Sequence, residues 1–180
     1  MLEQLVESWQ INHRVTLKLL DALADDALQA TLSTRGGRNV ARQLAHVHEV
    51  SLMLAELRSK TNRNAKLPHF AKGESPTKKQ LRAAFEASVH GIETSIREGW
   101  ANDGKLPGFK RGVVPMVGYL IAHQSHHRGS ILLTLKQPAT SLATSWAGVC
   151  GIGINCSSRF RDWQDHLTAA AAKKIAEDAE

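Results

Sequence analysis

Four stretches of this chain place apolar residues at the three-to-four-residue spacing of a single helix face. No stretch alternates apolar and polar residues as a half-buried strand would. The first, residues 2–24, carries Leu2, Leu5, Trp9, Leu19, Leu20 and Leu23, then gives way at Asp25-Asp26 to a polar loop broken by Gly36-Gly37. The second, residues 39–59, opens on Asn39, a residue type whose side chain accepts from the free N–H groups of a helix start, and carries Val40, Leu44, Val47, Val50, Leu54 and Leu57. A linker rich in Lys and Asn follows, with Pro68 and a Lys72-Gly73-Glu74 turn. Ser75-Pro76 reads as the N-cap and first position of the third helix, which carries Leu81, Phe85, Val89, Ile92 and Ile96 and fades by Gly99. After the Asn102-Asp103-Gly104 and Pro107-Gly108 turns the fourth begins near Gly112, carries Met116, Leu120, Ile131 and Leu135, and stops before Pro138. Long amphipathic helices bury their stripes against one another. The pattern therefore predicts an all-α, four-helix up-and-down bundle over residues 1–137.

At 180 residues the chain fits one such domain, and with only 5% aromatic residues its core must be mostly aliphatic. The longest apolar run, Val113 to Ala122, is interrupted by Pro115 and falls short of the roughly 20 residues that span a bilayer. No basic region precedes an apolar stretch at the N-terminus, so no secretory signal and no membrane association are expected, and cytoplasm is the expected location. The net charge of +6 permits contact with nucleic acid. The basic residues (Arg58, Lys60, Arg63, Lys66, then Lys78, Lys79 and Arg82) are nevertheless scattered, with no aromatics between them for base stacking, so they read as a solvated surface. Cys150 and Cys156, in Cys-Gly-Ile-Gly-Ile-Asn-Cys, form neither a disulfide framework nor a C-x-x-C site.

Five of the nine histidines fall in two short clusters. In the fourth helix His123 and His127 are four apart, so they project from one face, one turn apart, as a helix offers two imidazoles to one metal. They fall within the apolar stripe, between Met116/Leu120 and Ile131/Leu135, while His126 points roughly 80° away from it by helical geometry. An unpaired polar group buried there costs about 1–3 kcal/mol, which a shared cation would remove. In the second helix His46 lies roughly 70°, and His48 roughly 130°, from the centre of the stripe, which makes His46 the better interior candidate and leaves His48 toward the polar side. His46, His123 and His127 together would give three-histidine ligation with a free coordination position, a catalytic rather than structural zinc arrangement that nickel or iron would also accept. Asn12, His13 and Thr16 interrupt the core stripe of the first helix; Asn12 and Thr16 read mainly as locally satisfied positions, with hydrogen bonds to the ligands or contacts to a substrate as the alternatives.

Leu-Ala-His-Val-His-Glu-Val in the second helix, Tyr-Leu-Ile-Ala-His-Gln-Ser-His-His-Arg-Gly in the fourth and Asn-His-Arg-Val in the first resemble the DinB-like superfamily, which includes bacterial thiol transferases. The resemblance covers residues 1–137. It implies a four-helix bundle, often a homodimer, with a divalent metal on three histidines. Position by position these are His46, His123 and His127. It also implies, in characterised relatives, activation of a low-molecular-weight thiol. Two residues depart from the family pattern: Gln124 stands where Glu is common, and Ser130 where Gln is common. The tail, 138–180, departs wholly. Codons compatible with residues 150–155, read two bases out of phase, can spell Trp-Asp-Trp-Asp-Lys, and those for 138–142 can spell Gly-His-Lys-Leu in the same phase, a match that codon degeneracy makes permissive. Both words suit the family's C-terminus, so a frameshift near Gln137 and a poorly ordered tail are expected, and sequencing the gene tests this.

The expected function is a divalent-metal-dependent enzyme (Zn, Ni or Fe), acting on a small-molecule substrate by activating a thiol or water as a transferase or hydrolase. The alternatives are a non-catalytic, stress-related bundle that binds metal or a small ligand and, with less support, a nucleic-acid-binding protein. No side chain beyond the three ligands is singled out as catalytic.

Overall fold

The computed structural model describes residues 1–32 and 37–136. The chain divides into two units, Met1–Ala143 and Thr144–Glu180. The second unit, both cysteines and the out-of-phase words of the tail lie outside the described residues.

Among the described residues the long helices are α1 (Leu2–Ala22), α2 (Val40–Arg58), α4 (Lys78–Ala101) and α5 (Val113–Lys136), with a short α3 (Lys60–Asn64) in the linker and a 3-10 turn at Asp26–Gln29. No described helix is long and apolar enough to cross a membrane. Asn39 caps α2 as expected, its side chain accepting from the Arg42 N–H at 2.9 Å. The start of α4 is a correction. Ser75 is not its cap, because the Ser75 hydroxyl accepts from the Asn39 amide instead. Thr77 caps α4, its hydroxyl accepting from Gln80 N while Gln80 Oε1 accepts from Thr77 N. This reciprocal box satisfies two orphan donors where a lone serine satisfies one. The linker also holds a helix that apolar periodicity could not reveal. Ser59 caps α3, and the buried Asn62 amide donates to Ala55 O, Gly91 O and Ser95 Oγ, anchoring this part of the linker by polar bonds.

α1 and α2 each pack against both α4 and α5. The apolar core falls into two clusters. One gathers Val6, Trp9, Leu54, Ile92, Ile96, Met116 and Leu120, and the other Leu20, Val40, Leu44, Leu81, Phe85 and Ile131. Every long helix places buried polar residues between the clusters: Asn12 and Thr16 in α1, Ser51 in α2, beside the apolar Leu52, Ser88 in α4 and Gln124 in α5. The bundle is thus two hydrophobic halves separated by a polar layer, and the candidate histidines sit at that level.

α2 is buried on more than one face, which corrects the expectation for His48. His48 is fully buried at 0% exposure, while Leu57, counted in the stripe, is half exposed. The linker covers the face assigned to solvent. Pro68 O accepts from His48 Nε2 at 2.7 Å, and Phe70 and Phe85 pack edge-on against the ring. A helical wheel assumes one wet side, and a returning linker removes it.

Candidate metal centre

Two helices supply the centre. α2 is anchored by Leu44, Ala45 and Val47, all buried, which turns His46 toward α5. α5 is anchored by Met116, Leu120 and Ile131, which sets His123 and His127 on the side facing α2. The three rings meet there. Centroids are 5.4 Å apart for His46–His123, 5.0 Å for His46–His127 and 4.6 Å for His123–His127, with interplanar angles of 67°, 72° and 69°. One ring nitrogen from each lies within 4.8 Å of the other two, a group that could hold a metal ion. Tetrahedral ligands 2.0–2.1 Å from one ion stand roughly 3.3 Å apart, so small side-chain rotations close the remaining gap.

The chemistry of the donors fits a cation. Nδ1 of His123 and Nδ1 of His127 are buried with no hydrogen-bond partner among the described residues. All three imidazoles are held below the usual histidine pKa. Burial is the main cause for His46, reinforced by Arg38 and His123, and for His123, reinforced by His126. His127 is pushed down to about 4, first by burial and then by His123, His46, His126 and Arg38. At neutral pH the rings are uncharged, which is the ligating form. Arg38 is the one permanently charged group acting on them and no carboxylate does so, and all three rings are half-buried, leaving the cluster open on one side.

Tyr119 stacks on His123 at 5.9 Å and 21°. His126 points away from the core as the wheel predicts, is exposed, and meets His127 edge-on at 5.3 Å.

The deepest position of this turn belongs to Gln124, 2% exposed, rather than to the histidines. Its Oε1 accepts from Asn12 Nδ2 at 2.7 Å and from the Thr16 hydroxyl at 3.2 Å, and its Nε2 donates to Ser51 Oγ at 3.3 Å. Arg128 Nη1 donates to Thr16 Oγ1 at 2.8 Å and Nη2 to Ser125 Oγ at 2.7 Å. One amide therefore ties α1 and α2 to the turn of α5 that carries His123. Asn12 and Thr16 are not satisfied only within their own helix, which corrects the expectation for them. Their interrupted stripe was the visible signal. His13 is buried on the same helix and takes no part in the cluster.

A cavity of about 290 Å³ abuts the cluster, lined by Gly37, Arg38, Gln43, His126, His127 and Ser130 among others. Arg38 and Gln43 went unnoticed in the sequence. The available signal was spacing: Gln43 lies one turn before His46 on α2, and its amide donates to the Arg38 carbonyl at 3.4 Å.

The DinB family model matches residues 1–139. No curated protein and no solved structure matches the chain.

Proposed function

This chain belongs to the DinB family, and from that footing we propose that it is a metal-dependent enzyme acting on a small molecule, with His46, His123 and His127 as the ligands of one divalent cation. The observation that supports this reading is the convergence of three neutral imidazoles from two helices, half-open to solvent, with no carboxylate among the charged groups acting on them. When bound, the cation supplies Lewis-acid chemistry, lowering the pKa of a low-molecular-weight thiol or of water and so favouring thiol transfer or hydrolysis. Zinc, nickel and iron all suit three imidazole nitrogens. The residues of the chain hold and orient: α2 and α5 present the rings, Tyr119 packs against His123, and the Gln124 amide fixes α5 against Ser51 of α2. The working unit in this proposal is a homodimer.

A second reading, a metal-binding bundle without turnover, is favoured by one feature: among the described residues no Asp or Glu stands in the cluster to take a proton. Elemental analysis of the purified protein beside His46→Ala and His127→Ala tests the ligand assignment. Stoichiometric metal in wild type and its loss in both variants is the expected result, and unchanged metal in the variants refutes it. Metal-loaded protein that turns over an electrophile with a low-molecular-weight thiol, or hydrolyses it, supports the enzyme, and the absence of both favours the binding bundle.

A further inference from the structure

Two cavities of similar size flank α2 and differ in their acidic residues. The one of about 370 Å³ is lined by Glu49 and Glu56 together with Arg63 and His69, and the His69 ring is already held between the two carboxylates. The one of about 290 Å³ that shares His127 has no acidic residue among its lining residues. Its wall instead carries Arg38 and His126, with the Gln43 amide and the Ser130 hydroxyl as neutral donors. Arg38 is exposed, and among the described residues no carboxylate pairs with it, so its guanidinium is available to an anion entering the cavity. The Arg38 backbone is not loose, since its carbonyl accepts from the buried Gln43, one turn before His46. A cavity of about 290 Å³, close to the roughly 300 Å³ at which ligand sites begin, suits a small molecule. A guanidinium with nearby amide and hydroxyl donors, and no competing anion, is complementary to a carboxylate.

We propose that this cavity anchors the carboxylate of a small organic acid on Arg38, next to the three-histidine cluster. The proposal deepens the functional reading above and rests on it: the acid is the substrate, held by its carboxylate with its reacting end toward the cluster. Arg38 is a binding residue in this scheme, and no proton or bond is assigned to it.

Amide NMR titration of the full chain with succinate, in metal-free and zinc-loaded forms, tests the idea. The expected result in both forms is a saturable shift of the Gly37, Gln43 and Ser130 amides, none with uncharged dimethyl succinate, and weaker shifts with inorganic phosphate. Arg38→Gln is expected to weaken succinate binding at least about tenfold, and Arg38→Lys to retain part of it. Equal shifts from the diester, tighter binding of phosphate, or unchanged affinity in Arg38→Gln would each overturn the proposal. So would succinate binding in the zinc form alone, since that is capture by the ion. Zinc content measured on the same samples separates the two readings. Stoichiometric zinc without Arg38-dependent binding sinks the carboxylate pocket alone, whereas Arg38-dependent binding in protein that takes up no zinc, nickel or iron on loading supports the pocket and sinks the metal assignment.

Discussion

Gln124 shows how one side chain can organise the middle of a bundle. It stands beside a candidate ligand, yet its amide is spent on three other residues from two helices. Asn12 Oδ1 already lacks a partner in the buried layer, so losing Gln124 would leave the whole Asn12 amide unmatched. Gln124→Leu is expected to cost about 1–3 kcal/mol in urea unfolding. The double variant Asn12→Leu/Gln124→Leu should cost less than the sum of the singles, because replacing both partners removes the orphan. Strict additivity would show that the bond carries no coupling. His13 sets an acid limit on the same helix. It is buried and pushed down to about 4, chiefly by desolvation, with Glu86 opposing and His90 adding to the effect. Its penalty is absent above the unfolded-state value near 6.5, grows as pH falls from there toward 4, and is constant below, because the unfolded chain takes a proton that the folded one refuses. His13→Gln is therefore expected to unfold at lower pH than wild type in an acid titration followed by circular dichroism. An unchanged midpoint would assign the acid loss to the other buried histidines.

At the level of elements, the linker between α2 and α4 is held by polar bonds of two kinds. His69 of the linker binds Glu49 by Nδ1 at 2.8 Å and Glu56 by Nε2 at 2.9 Å, both on α2. Carboxylates only accept, so both ring nitrogens must carry protons, and those two hydrogen bonds raise the pKa of His69 above its ordinary value. The sign is opposite to that of His13. The clamp contributes fully below the unfolded-state value near 6.5 and is lost as pH rises through the higher folded value. The stability gap between wild type and His69→Gln should be widest at mildly acid pH and close on the alkaline side, and a gap independent of pH would mean the clamp is not ionic. The other device is the Thr77–Gln80 box at the start of α4. Thr77→Ala is expected to lower stability by about 0.5–2 kcal/mol in thermal unfolding while leaving metal content unchanged, since the cap is remote from the histidines in sequence and in contacts. Such caps show why helix starts were only partly legible. Asn39 and Thr77 obey the same rule, but Ser75-Pro76 obeys a competing one, and the choice between them fell to a bond from Asn39 that spans 36 residues.

For the whole molecule, the proposed homodimer predicts a light-scattering mass of twice the 19.7 kDa chain at micromolar concentration, and a mass of one chain refutes it. The polar layer between two apolar clusters is the feature that makes the fold a scaffold for chemistry, since Gln124 and its partners fix the helices there by hydrogen bonds while His123 Nδ1 and His127 Nδ1 are left without one. The short α3 could not be read directly from the chain, but the four long helices could, and so could the shared face of His123 and His127. Those are consequences of 3.6 residues per turn, a relation among near neighbours. The wheel and the family pattern already name His46 as the partner of that pair, whereas the linker laid over His48, the reach of Gln124 to α1 and the seat of Arg38 beside His127 belong to another order. They depend on how four amphipathic faces are matched at once and where the connecting segments then run. That minimum is shared across the entire core, so no short segment carries its signature.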